Sequence, residues 1–470
     1  MVLPNQFTDL LPFPAGSPAY LGLAHGIRGM VMDGRLATGS RLPSERAFAE
    51  VLGLSRATIT RAFGELVDSG WAVARRGSGT TVRLPATDCT PTLSLVPTPR
   101  RDTIDVSSAA GLAPDGTAEI VGRALDWLPA TLASAGYEPY GAAHLRERIA
   151  GWYSSLGVPT RADQVIVTAG AVLALSVALH ALAKPGDRVV VDSPTYPGAL
   201  SAIATVRARA VPVPLDAAWD IPAWADAVRR SRPRVAYLLP DFHNPTGLLM
   251  PTEQRVRLAR LLADAGCLPI VDETVAELDF GEAEPALPFG AVSDDVVCIG
   301  SLSKVLWGGF RIGWLRCPSR LVDTFRRQSE ALSLGPSALD QLVATTYLEN
   351  PSPIRDAVVD RLRRARTIWR EALADRLPDW QVPTPPGGLA LWITLPARLS
   401  TELALAARAH GLALAPGPTF SPDRTHTNRV RLPLTLPLDV IDEATVRLAA
   451  AWASARHGRT ASPHVYALAL

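Results

Sequence analysis

Five short runs rich in Val and Ile, QVIVTAG (164–170), DRVVVDSPTYP (187–197), RVAYLLPDFHNPTG (234–247), LPIVDE (268–273) and DVVCIGSLSK (295–304), are set apart by longer amphipathic stretches. Strand-like runs alternating with helical patterns bury their apolar surface in a mostly parallel sheet covered by helices on both faces. No other feature of the sequence restricts the fold as much. The crevice of such a sheet lies at the carboxyl ends of its strands. The residues that follow each run, Gly170, Tyr196, Asn244, Asp272 and Lys304, are therefore candidates to share one site.

Lys304 stands out by rarity as well as by place. The chain has 47 Lys+Arg residues, and only Lys184 and Lys304 are lysines. Lys184, in AKPGDRV, reads as an exposed turn before a strand. At 470 residues the sequence predicts two or three domains. Its 47% apolar and 20% charged content describe an ordinary globular protein. A net charge of +2 points neither to nucleic acid nor to a membrane surface. The four cysteines, Cys89, Cys267, Cys298 and Cys317, make no metal spacing with the histidines, so no metal site is expected and a cytoplasmic location is. No signal peptide and no membrane-spanning stretch are expected.

Composition divides the chain into residues 15–84, a Pro/Thr-rich linker at 85–103, the alternating segment at 104–456 and a tail at 457–470. The first zone holds helical patterns and a Gly-containing hairpin, and residues 1–84 carry nine arginines against six acids. Leu21, Ala24, Ile27 and Val31 line one face of a first helix. Ser44 in LPSER and Ser55 in LSRATITRAF are N-caps for two more, with Gly53 in the turn between them. The third helix buries Ile59, Phe63, Leu66 and Val67 and turns Arg56, Thr58 and Thr60 or Arg61 outward. Two strand-like arms around Gly77-Ser78-Gly79 follow, with Arg75 and Arg76 at the tip. A helix entering the major groove by its N-terminus, beside a basic wing, is a helix-turn-helix arrangement. This zone resembles the GntR family of bacterial winged-helix regulators. The resemblance implies an operator in double-stranded DNA met by Arg46, Ser55, Arg56, Thr58, Arg61, Arg75, Arg76 and Gly77.

A lysine to form an imine, a carboxylate for a pyridine nitrogen and a ring to stack describe pyridoxal 5'-phosphate (PLP) chemistry. The helix opening at Gly170 offers an N-terminus for the phosphate, and Arg311 a countercharge. In this order the set resembles the fold-type I aminotransferases over about 350 residues. By that resemblance Lys304 is the Schiff-base lysine, Asp272 the partner of the ring nitrogen, and Asn244 the partner of the ring hydroxyl. Tyr196 stacks on the ring, Ser301 and Arg311 bind the phosphate with backbone at Gly170 and Ala171, and Tyr137 reaches the phosphate of a neighbouring subunit in a homodimer. Arg431 clamps a substrate carboxylate, with Arg429 the competing assignment. Two positions depart from the family pattern. Val275 stands where a ring-hydroxyl tyrosine is usual, and Ala169 and Ala171 where hydroxyl residues commonly flank the phosphate glycine.

Together the two halves resemble the MocR subfamily, in which a GntR-type DNA-binding domain is fused to a PLP-binding, aminotransferase-like body. The resemblance implies a head-to-tail homodimer that regulates transcription and senses an amine or amino acid. A working aminotransferase with an accessory DNA-binding domain, and a DNA-binding protein whose body is a scaffold, are the competing readings. The departures count against the first and the intact Lys304, Asp272, Asn244 and Arg311 set against the second. The sequence leaves open the operator, the effector and whether the protein activates or represses.

Overall fold

The computed structural model describes Phe7, residues 18–32, Leu36, and residues 39–75, 79–83 and 102–457. The expected linker and tail fall almost wholly outside them, as do Arg76 and Gly77 at the tip of the hairpin.

The N-terminal domain is built from α1 (Ala19–Met32), α2 (Glu45–Leu52) and α3 (Arg56–Asp68), followed by a hairpin of β1 (Ala72–Arg75) and β2 (Gly79–Val82). Both expected N-caps form: Ser44 Oγ accepts from Ala47 N at 3.3 Å and Ser55 Oγ from Thr58 N at 3.1 Å. Such a cap is worth about 1 kcal/mol. Gly53 ends α2 at φ +62°, where a side chain would be strained. Between the helices Phe48 packs on Phe7 and Phe63, with Leu23, Ile27, Ile59 and Leu66 around them. The buried face of α1 runs through Leu23 and Met30 as well as Ala24, Ile27 and Val31, while Leu21 is only half-buried. Val67 is likewise half-buried, at the edge of the face that Leu66 buries.

The body contains the sheet that the alternating pattern predicts. Its strands are β4 (Val165–Thr168), β5 (Arg188–Ser193), β6 (Arg209–Pro214), β7 (Val235–Leu238), β8 (Leu268–Asp272), β9 (Val297–Ser301) and β10 (Gly313–Arg316), in the order β4-β10-β9-β8-β7-β5-β6. Only β10 runs antiparallel to its neighbours. Side chains alternate between the two covered faces of the sheet, as its two-residue period demands. Val190, Ala236, Val271 and Cys298 face one core cluster, and Val189, Val235, Ile270 and Ile299 face the other. The helices Ala171–Leu182 and Pro197–Thr205 cover the second face, and helices including Thr252–Asp264 and Ser352–Arg376 cover the first.

A smaller sheet, β11 (Ala390–Thr394), β13 (Arg429–Pro433), β12 (Leu412–Pro416) and β3 (Ile104–Val106), lies on the same large core. The segment 107–112 leaves β3 and leads to the ends of the main-sheet strands, where the candidate residues sit. No helix among the described residues is long and apolar enough to cross a membrane.

Candidate functional site

Lys304 follows β9 three residues past its end and is half-buried. Its Nζ donates to Ala109 O at 3.0 Å, the only hydrogen bond it makes to described residues. Burial first, and the nearby Arg431 second, pull the amine down from its ordinary value to about 8. Asp272 opposes that shift and Arg311 adds to it. A lysine so placed is partly neutral near physiological pH, as an attacking amine must be.

Asp272 ends β8 facing the same space. Its Oδ1 accepts from Thr274 N at 3.0 Å and its Oδ2 from Tyr237 Oη at 2.7 Å. Tyr196 lies in the Asp272, Arg431 and Arg311 field, and burial raises its hydroxyl pKa. Asn244 Oδ1 accepts from Arg431 Nη1 at 3.5 Å. Arg431 is buried on β13; its Nη2 donates to Ser107 O and its guanidinium lies 5.1 Å over the Phe420 ring. Burial brings Arg431 down to about 10, and its Nε has no partner. Arg429, two residues earlier on the same strand, is half-buried with Asp216 as its charged neighbour.

At the other end, Gly170 opens the helix Ala171–Leu182 with φ +89°. A Cβ there would sit 2.3 Å from Arg311 Nη2, and one on Gly313 would sit 2.5 Å from Ala171 N. Two glycines and an arginine thus make a cradle at a helix N-terminus that any side chain would fill. Ser301 Oγ donates inward to Ile312 O at 2.9 Å and lies 2.9 Å from Ser303 Oγ. The donor set fits PLP: an amine for its aldehyde, a carboxylate for its pyridine nitrogen and a cationic helix N-terminus for its phosphate. Tyr137 stays apart from this cluster within one chain, 69% exposed.

In the N-terminal domain Arg46 and Arg56 are exposed, and Arg61 stacks 4.2 Å over Tyr20. Ser55 Oγ and Thr58 Oγ1 are bonded to each other at 2.8 Å. Thr60 donates to Glu45 Oε2 at 2.7 Å. Arg75 lies in β1 opposite Gly79.

Residues 19–82 match the family of bacterial regulatory proteins, gntR family, and residues 118–448 match aminotransferase class I and II. The chain is 30% identical to YdcR of Escherichia coli, described as an uncharacterized HTH-type transcriptional regulator, over 86% of this chain and 92% of that one. It is 29% identical to a probable rhizopine catabolism regulatory protein, MocR of Rhizobium meliloti, over 78% of this chain and 79% of that one. The chain belongs to the MocR subfamily.

Among solved structures, the MocR-type body is similar to LysN, an α-aminoadipate aminotransferase of Thermus thermophilus. That structure, with N-(5'-phosphopyridoxyl)-L-leucine bound, covers 76% of this chain and 93% of its own at 27% identity and a TM-score of 0.69. Against the subfamily pattern, Val275 is buried in the core and cannot supply a ring-hydroxyl contact. Tyr237 supplies a phenol from a different strand, but to Asp272. Sequence reasoning passes over it, although it is the one polar side chain in the run VAYLL. It also passes over the carbonyls of Ser107 and Ala109, which no side-chain motif announces. Arg41 is passed over too; its guanidinium lies against Gly79, at the tip end of the hairpin.

Proposed function

We propose that the chain is a cytoplasmic, PLP-dependent transcriptional regulator that senses an amine or amino acid through Lys304 and Arg431. The observation that carries this reading is the burial of Lys304 beside Asp272, Arg311 and Arg431 with a backbone carbonyl as its partner. A scaffold has no use for a desolvated lysine facing two arginines.

PLP, when bound, supplies an electrophilic carbon at which an effector amine can replace the lysine. Asp272 would keep the pyridine nitrogen protonated, held in place by Tyr237 and the Thr274 amide. Tyr196 would stack, and Asn244 would bond the ring hydroxyl. Arg311 and the amides after Gly170 would hold the phosphate. Arg431 would grip an effector carboxylate with two nitrogens, in place of its present carbonyl and amide partners.

The winged-helix domain would meet operator DNA through the outward Arg46 and Arg56, Ser55 and Thr58 at the start of α3, and the wing. Arg61 would act from beside Tyr20. Effector binding changes DNA occupancy only through a difference in affinity between arrangements of the DNA-binding domains. A homodimer fits the exposed apolar surface around Tyr137: Leu112 is 78% exposed, and Trp127, Leu132 and Leu334 are also exposed. Gly335 packs directly on the Glu138 carbonyl, bringing Leu334 to the Tyr137 turn. Exposed apolar side chains gathered in one region mark an interaction surface.

The test is the absorption spectrum of the purified protein with added PLP, beside Lys304→Ala, followed by operator binding with and without candidate amines. A visible band lost in the variant, and moved by amines that also move DNA affinity, is expected. No band in either protein, with DNA binding intact, would favour the scaffold reading. An aminotransferase reading keeps support from the Lys304, Asp272 and Arg431 set. Sustained turnover of an amino acid with a keto acid would establish it.

A further inference from the structure

Behind Asn244 and Tyr196 lies a buried pair that the mechanism above does not use. Asp192, on β5 four residues before Tyr196, and His243, immediately before Asn244, are both 0% exposed. Asp192 Oδ2 accepts from Trp219 Nε1 at 3.2 Å, and its Oδ1 has no partner. Trp224 turns its indole toward the same carboxyl without completing a hydrogen bond. On the other side, His243 Nδ1 is 3.0 Å from Thr246 Oγ1, while its Nε2 has no partner and lies 3.7 Å from Asp192 Oδ2. No Lys or Arg among the described residues pairs with Asp192.

A buried polar atom without a partner costs about 1–3 kcal/mol. The nearest approach of the two side chains, Nε2 to Oδ2 at 3.7 Å, is too long for a hydrogen bond, so the carboxyl and the imidazole pack side by side in the same dry space. One protonation arrangement suits both: His243 Nδ1–H donates to Thr246, the Nε2 lone pair is left open, and the carboxyl of Asp192 carries a proton. The alternative, a carboxylate accepting Nε2–H, would leave a negative charge buried with no cation, an expensive state. Burial acts toward neutrality on both groups, raising Asp192 to about 7 and lowering His243 to about 3. The titratable groups nearest the pair are Tyr237 on β7 and, through it, Asp272.

We infer that Asp192 is a neutral acid that packs against a neutral His243 and acts as a positioning residue, setting the segment after β5 that carries Tyr196 against the turn that carries Asn244. The inference rests on the PLP reading for its consequence, since Tyr196 and Asn244 are the two residues assigned to the ring's face and hydroxyl. Keeping Asp192 uncharged also leaves Asp272 as the carboxylate that answers to the ring nitrogen. The backbone of the turn is braced independently, by His243 N to Leu248 O and Gly247 N to His243 O. The pair therefore sets side-chain placement rather than holding the turn together.

Two measurements test this. Infrared difference spectroscopy of the unmodified protein against Asp192→Asn reads the proton directly: a protonated-carboxyl stretch that disappears in the variant is expected, and its absence overturns the neutral-acid assignment. With PLP added, Asp192→Asn and His243→Phe are titrated with cofactor and with pH. About tenfold weaker PLP binding and a moved pH midpoint of the visible band, in protein of unchanged circular dichroism, are expected. A lower Tm with affinity and midpoint unchanged would mean that the pair only stabilises the fold, and would overturn the positioning role. If the unmodified protein shows no visible band at all, the PLP reading fails on its own, while the infrared result still decides the state of Asp192.

Discussion

The winged-helix domain and the aminotransferase-like body place their arginines in opposite environments. Arg46 and Arg56 stand in water at the starts of α2 and α3, positioned by capped helices. Arg431 is enclosed, stacked over Phe420 and bonded to a backbone carbonyl, with its nitrogens short of partners. An exposed cation is suited to a polyanion whose binding falls steeply with salt. A buried one is screened little by salt and selects a small ligand by geometry and charge. On the proposed function one residue type would serve two kinds of recognition, and the difference would lie in desolvation.

Four experiments would break or sharpen that contrast. The largest effect belongs to Lys304→Ala, which should abolish the visible PLP band while operator binding, measured by fluorescence anisotropy without effector, stays within about twofold. The pH dependence of PLP capture comes next. Only the neutral amine attacks, and its fraction falls about tenfold per pH unit below the pKa. With Lys304 near 8, the stopped-flow capture rate should rise about fiftyfold from pH 6 to 8 and level off after about a further doubling. A profile still climbing steeply at pH 10 would place the lysine in water.

Arg431→Ala should weaken the response to carboxylate-bearing effectors by about ten- to a hundredfold, the range for losing hydrogen bonds to a charged group. Amines without a carboxylate should be unaffected. An unchanged response would move the assignment to Arg429. The smallest effect is expected for Arg56→Ala, about tenfold weaker operator binding with an unaltered cofactor spectrum. Undiminished binding would remove α3 from the recognition role.

How much of this is legible in the sequence depends on whether a residue acts through its side chain at a strand end or through packing. The five β-branched runs form β4, β5, β7, β8 and β9, and the residues after them converge. Ser44, Gly53 and Ser55 are readable because caps and left-handed turns select residue types locally. The carbonyls of Ser107 and Ala109 are invisible, since any residue can offer one and only the crossing of β3 beside β12 brings them to the site. Asp192 and His243 escape for a related reason. Each sits inside a run whose last residue draws the eye, and their pairing depends on β5 and β7 being neighbours in the sheet. The half-burial of Leu21 and Val67 shows the limit of periodicity, which finds a helix face but not where a neighbouring core ends.

The shortage of lysine bears on more than the site. An aldehyde condenses reversibly with accessible side-chain amines, and a protein surface ordinarily offers it many decoys. This chain offers two: Lys184, exposed at a turn, and Lys304, whose amine burial pulls down to about 8. Borohydride reduction of the loaded protein should therefore leave label on essentially one peptide, and titration of cofactor against chain should run close to stoichiometric. If the protein senses a free amine as proposed, so few competing attachment points on its own surface would mean little background to subtract from the signal.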